Sequence, residues 1–181
     1  TGITASEIIN TYAPGELVRI LRTYGEEKFA TRIVENIVKE RAKAPLNSTA
    51  QLATLVKESI PAATRRTGGN PAKRTFQALR IEANAELGAV TRALPQALDL
   101  LMVHGRLVVM SFQSLEDRIV KEVFLEASTS KSPRNLPIEL PEYAAKFSLV
   151  FRSGETPSQS ELDENPRSAS VRLRAIERVA A

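Results

Sequence analysis

The feature that most constrains this chain is a short apolar run between two helical patterns. Residues 106–110 read RLVVM, an uninterrupted run rich in β-branched residues that is typical of a buried strand. A leucine-rich helical pattern precedes this run, and another helical pattern follows it. The run predicts a strand at 106–112 and a helix at 114–127. The order helix, strand, helix predicts an α/β protein whose sheet is at least partly parallel.

The junction between this strand and helix, residues 111–118, reads SFQSLEDR. Ser114 and Asp117 have the spacing of a capping box, which would explain both residues without any site. The alternative depends on position, because ligands of open α/β sheets bind outside the carboxyl ends of strands. Ser111, Phe112, Gln113 and Ser114 would then lie at such a position. The pattern alone narrowly favours the cap.

The sequence pattern of the first part of the chain predicts short helices. Thr4 with Glu7 and Ser48 with Gln51 have capping-box spacing before apolar residues at helical intervals. We interpret residues 1–70 as a helical subdomain that ends in a basic loop, and 71–181 as a second part.

A long helix is predicted from about Pro71, because proline suits a first helical turn. Its apolar residues, Phe76 among them, form one narrow stripe. A polar row lies beside that stripe, where it could line a cleft or form an ordinary boundary of snorkelling side chains. The pattern favours the boundary. The row comprises Lys73, Gln77, Arg80 and Asn84.

Two alternating patterns near the end predict strands at about 146–153 and 169–179. If they pair with each other, the sheet ends in an antiparallel element. The segment before them, with three prolines, predicts a loop.

Composition excludes several kinds of site. The chain has no cysteine and one histidine, His104, so the residues predict no thiolate, no disulfide and no histidine-rich metal centre. No run is apolar enough to span a membrane. The net charge of +4 is concentrated in two segments. These segments predict one possible function without catalysis, an RNA-binding module that uses the basic segments 64–80 and 165–178.

Four blocks resemble a known family in order along the chain. They read YGEEKFATRIVENIVKERAK (24–43), NPAKRTFQALRIEANAEL (70–87), GRLVVMSFQSLEDRIVK (105–121) and ENPRSASVRLRAIER (164–178). They are similar to the bacterial ribosomal RNA small subunit methyltransferase H family. The first block resembles the inserted helical segment of that family.

The resemblance implies an S-adenosylmethionine-dependent enzyme that methylates N4 of a cytidine in 16S rRNA of the small ribosomal subunit. It implies the C-terminal part of a class I Rossmann-like methyltransferase core plus an inserted all-helical subdomain. The family's cofactor ligands belong to an N-terminal part, so we expect none here and expect this part alone to be inactive. A cytoplasmic location is expected. If the strand at 106–112 normally lies beside strands of the N-terminal part, one of its edges is unpaired here, and a homodimer across that edge is possible.

The same resemblance implies roles for individual residues. Ser111, Gln113 and Ser114 would border the base pocket, although the family usually has histidine where Gln113 stands. Because glutamine has no imidazole, the family's usual histidine cannot be the general base at this position. The expected RNA contacts are Arg65, Arg66, Lys73, Arg74, Gln77, Arg80, Asn165 and Arg167.

Overall fold

The computed structural model describes residues 2–62, 70–133 and 143–181. Their contacts divide them into two compact units, one ending at Glu86 and one beginning at Leu87. The first unit consists of α1 (Ala5–Thr11), α2 (Pro14–Thr23), α3 (Ala30–Arg41), α4 (Thr49–Ser59) and α5 (Lys73–Asn84). The second comprises α6 (Glu86–Asp99), β1 (Arg106–Ser111), α7 (Ser114–Ala127), β2 (Phe147–Leu149), α8 (Gln159–Glu164), a 3-10 helix (Pro166–Ser170) and β3 (Arg172–Arg178).

Local sequence signals account for the starts of two helices in the first unit. The Thr4 hydroxyl accepts a hydrogen bond from the N–H of Glu7 at 3.1 Å, and the Glu7 carboxylate accepts one from the N–H of Thr4 at 2.7 Å. Ser48 and Gln51 repeat this arrangement at 3.1 and 3.2 Å. Both predicted capping boxes are therefore confirmed. They satisfy N–H groups that have no partner within the helix.

Helix α5 packs with the helices before it. Ala78 and Leu79 are buried in the same core as Ile20 and Ile33. The helix ends at Ala85, whose left-handed backbone (φ 49°) separates α5 from α6. The chain therefore differs from the predicted single long helix. The boundary between the compact units also follows Glu86, not residue 70, because the apolar stripe of α5 is buried by the N-terminal helices.

The second unit contains a three-stranded sheet in the order β1-β3-β2. β3 lies in the centre and runs antiparallel to both neighbours. The α/β class and the predicted antiparallel pairing of the last two strands are confirmed. The predicted parallel part is wrong for the described strands, because the neighbour of β1 is β3, which runs in the opposite direction. β2 is shorter than predicted, and the 3-10 helix occupies part of the stretch predicted as strand 169–179.

One face of this sheet is covered by helices. Leu107, Val109 and the fully buried Ile176 pack with apolar side chains of α6 and α7, including Leu98 and Phe124. Alternation along β1 turns Val108 and Met110 to the other face, where they are 56% and 54% exposed. The prediction of a fully buried strand is therefore wrong for the described residues. β1 also lies at the edge of the sheet, with no partner on its outer side among those residues.

Within the three described ranges, no helix is long and apolar enough to cross a membrane.

Candidate functional site

The carboxyl end of β1 is fixed by Glu116. Its Oε2 accepts hydrogen bonds from the N–H groups of Phe112 and Gln113, at 3.1 and 3.2 Å. Glu116 is the third residue of α7, so its negative charge also lies in the first turn, where the helix dipole favours it. The carboxylate thereby fixes the backbone that carries Phe112 and Gln113.

The predicted cap formed by Ser114 and Asp117 is wrong. Ser114 is the first residue of α7, and Gln113 stands at the cap position. The Asp117 carboxylate pairs instead with Arg174 of β3, accepting from Nε at 2.6 Å and from Nη2 at 2.9 Å. Glu116 replaces the predicted cap because its position allows it to reach back to the two N–H groups that precede the helix.

The strand register brings two groups of predicted site residues to one end of the sheet. Ser111, the last residue of β1, is opposite Arg172, the first residue of β3. The segment that leads into β3, which carries Asn165 and Arg167, therefore approaches the sheet at the end where β1 leaves it. Ser111 is buried, whereas Gln113 is half-buried. The residues at the end of β1 are thus neutral and polar, whereas Arg167, on the 3-10 helix that precedes β3, is basic and exposed.

The side chain of Phe112 is 58% exposed at this rim. It continues the row of Val108 and Met110 along one face of the sheet. Sequence reasoning placed Phe112 beside the candidate pocket residues and gave it no role. Its exposure could not be read from the sequence, because an apolar residue after a strand is more often part of the core.

His104 lies at the opposite end of β1 from Ser111. Its backbone is left-handed (φ 67°), and its N–H donates to the carbonyl of Arg178 at 2.7 Å. The hydrogen bond from Arg106 to Glu177, at 2.7 Å, holds the pKa of the Glu177 carboxyl below its ordinary value of 4.5. The single imidazole is therefore not at the rim. Among the described residues, no group of three or more acidic or histidine side chains is placed to hold a metal.

Three members of the polar row on α5, and the neighbouring Arg74, make contacts inside the first unit. Gln77 donates to the carbonyl of Tyr24 at 3.2 Å, and Arg74 to that of Glu26 at 3.4 Å. Arg80 and Asn84 both bind the carboxylate of Glu86, at 3.0 and 3.1 Å. These contacts favour the boundary interpretation over a cleft lining.

Two of the predicted RNA contacts, Arg65 and Arg66, lie outside the described residues. Of the basic residues on α5, Lys73 is exposed and has no ion pair with any residue that the structure describes.

The ion pair between Arg174 and Asp117 was missed by sequence reasoning. The position of Ile176 could have revealed that Arg174 faces the helices. Ile176 lies two residues after Arg174, so both side chains point to the same face of β3, and Ile176 is fully buried. An arginine on that face therefore points to the helices, and Asp117 neutralises it there.

The comparisons with known proteins decide the family. Residues 1–179 match the MraW methylase family. The chain belongs to the MraW methylase family. This membership confirms the resemblance carried by the four sequence blocks.

Curated relatives of this MraW family chain share the name ribosomal RNA small subunit methyltransferase H. The chain is 58% identical over 180 residues to that of Rhodococcus jostii (strain RHA1), covering 99% of this chain and 53% of the relative. It is 58% identical over 176 residues to the Corynebacterium diphtheriae protein, covering 97% and 52%. It is 54% identical over 179 residues to that of Corynebacterium glutamicum (strain R), covering 99% and 53%. The chain spans about half the length of the curated relatives it matches.

Proposed function

We propose that this chain is an incomplete part of an S-adenosylmethionine-dependent enzyme that methylates N4 of a cytidine in 16S rRNA. The observation that carries the proposal is the family match over residues 1–179, together with relatives named as small-subunit rRNA methyltransferases. A substrate in the small ribosomal subunit implies a cytoplasmic location for the enzyme.

The described residues at the carboxyl end of β1 do not fit the cofactor on their own. Glu116 and Asp117 are the acids nearest this end in sequence, and both are engaged, Glu116 by backbone N–H groups and Asp117 by Arg174. Neither is available to bind the hydroxyl groups of a ribose. We therefore propose that the ligands of S-adenosylmethionine lie outside this chain.

The part of the reaction that we assign to this chain is positioning of the target base. Transfer to an exocyclic amine requires the nitrogen lone pair to point at the methyl donor. The base must also leave its stack to be reached. Gln113 and Ser114 offer an amide and a hydroxyl group that can bind the polar edge of a cytosine. Ser111 is buried, so we propose that it borders the pocket without contacting the base. Gln113 has no proton-accepting imidazole, so we assign it an orienting role.

The proposed RNA contacts are basic or amide side chains that would hold phosphates without reading sequence. Lys73 and Arg167 are exposed, and neither has an ion pair among the described residues. Arg74, Gln77 and Arg80 remain in the proposed set, but they have fewer free N–H groups for a phosphate, because their side chains already bind groups of the first unit. Arg65, Arg66 and Asn165 complete the proposed set.

The uncovered face of β1 supports the proposal that this chain is part of a longer enzyme. Val108, Met110 and Phe112 expose more than half of their side chains in one row, and the outer edge of the strand has no partner among the described residues. Exposed apolar rows and free strand edges favour association. We propose that the remainder of the longer enzyme covers this face. A homodimer across the same edge is the alternative, which light scattering of the isolated chain distinguishes.

A chimera tests the proposed function. This chain replaces the matching portion of the Rhodococcus jostii relative, and 16S rRNA from treated small subunits is analysed by nucleoside mass spectrometry. We expect N4-methylcytidine with the chimera and none with the chain alone. Calorimetry of the chain alone should detect no micromolar binding of S-adenosylmethionine. A chimera that binds rRNA in a salt-dependent way but transfers no methyl group would favour the non-catalytic RNA-binding module.

A further inference from the structure

A small cationic cleft lies in the second unit, away from the carboxyl end of β1. It opens between α7 and the segment that follows β2, with a volume of about 50 Å³. The aromatic side chains of Phe124 and Phe151 line it, together with Leu149 of β2. Its basic lining residues are Lys121, Arg152 and Arg174.

Two of these three cations are not neutralised. Lys121 and Arg152 are exposed, and neither side chain forms a hydrogen bond or ion pair with a described residue. Asp117 precedes Lys121 by four residues on α7, which is the usual spacing for an intrahelical ion pair. Both carboxylate oxygens of Asp117 are bound by Arg174 instead, at 2.6 and 2.9 Å. The cleft therefore keeps two positive charges beside an aromatic wall.

These groups fit one ligand chemistry. A lysine and an arginine at the mouth of a narrow cleft match the charge of a phosphate, and arginine can bind it through two N–H groups. The half-buried ring of Phe151 offers a surface for an adjacent sugar or base. We propose that Lys121 and Arg152 bind a backbone phosphodiester of the RNA substrate. This inference rests on the proposed function and adds phosphate contacts on α7 and on the segment after β2, neither of which carries any of the basic RNA contacts named above.

The experiment measures binding of a fluorescein-labelled, single-stranded RNA of mixed sequence by anisotropy over a range of KCl concentrations. The test variant is Lys121→Gln/Arg152→Gln. The matched control is Lys57→Gln/Arg92→Gln, which removes the same residue types from exposed helical positions that have no ion pair among the described residues. Circular dichroism verifies that all three proteins are folded.

We expect the test variant to bind roughly tenfold more weakly at low salt. Its plot of log affinity against log salt should be shallower by about 0.7 for each cation removed. The control should coincide with the wild type. Equal salt slopes for the test variant and the wild type would show that Lys121 and Arg152 do not bind RNA, while leaving the methyltransferase proposal intact. Undetectable wild-type binding would overturn the cleft, and methyl transfer by the chimera would then decide the proposed function separately.

Competition with inorganic phosphate distinguishes a cleft that binds RNA from one that binds a small free anion. At matched ionic strength, phosphate should compete no better than chloride. If millimolar phosphate removes the difference between wild type and test variant, the cleft binds free phosphate and the RNA assignment is wrong.

Discussion

Arg174 on β3 and Asp117 on α7 form a two-point ion pair, with distances of 2.6 and 2.9 Å and side chains only 16% and 19% exposed. The pair joins two sequence blocks that carry the family resemblance, although 57 residues separate its members. It ties the central strand to the helix that follows the candidate rim.

Asp117→Ala should lower the free energy of unfolding by about 2 kcal/mol, because it leaves a half-buried guanidinium unpaired. Urea denaturation measures the loss. Arg118→Ala, at the adjacent exposed position, should stay within about 0.5 kcal/mol of the wild type. A double-mutant cycle with Arg174→Ala should give a coupling of about 1–3 kcal/mol. A coupling near zero would show that the pair contributes no net stability.

Glu116→Ala should destabilise the chain by about 1 kcal/mol, because the N–H groups of Phe112 and Gln113 lose their acceptor. Ser114→Ala should change stability by less than about 0.5 kcal/mol, because Ser114 does not cap the helix. Chemical denaturation of the two variants side by side provides the measurement. The reverse ranking would restore the cap predicted from spacing.

Gly25→Ala should cost about 1–3 kcal/mol, because a Cβ there would lie 2.7 Å from the carbonyl oxygen of Arg74 and 2.8 Å from that of Leu21. Gly15→Ala is the matched control, since nothing lies within 4 Å of its added Cβ. That control lies inside α2 and should stabilise the chain by up to about 1 kcal/mol. Thermal unfolding of both variants distinguishes them, and equal effects would argue against the close packing of this turn.

Glu177→Gln should alter the pH dependence of stability. The hydrogen bond from Arg106 lowers the pKa of Glu177 from 4.5 in the folded state, so folding favours the ionised form. The resulting stability is fully present above pH 4.5 and is lost as the pH falls through the lowered folded pKa. The difference between wild type and variant in urea midpoint should therefore shrink on acidification below that value. A midpoint difference that stays constant over this pH range would show that folding does not favour the ionised form of Glu177.

Most of the candidate rim was predicted through the family resemblance. Spacing alone favoured a cap at Ser114, and the structure gives that role to Glu116. Placement of Asn165 and Arg167 at the same end of the sheet required the register of β1 with β3, which no local pattern contains.

The sequence alone specified the local elements of this protein. Apolar periodicity predicted the helices of the first unit, two capping boxes fixed helix starts, and helix 114–127 has the predicted bounds. These features depend on neighbours within about one helical turn. Tertiary structure decided the partners. It gave Asp117 to Arg174, placed β3 beside β1, and divided the predicted long helix at Ala85. Such choices depend on which distant surfaces bury each other, and the same local patterns are compatible with several of them.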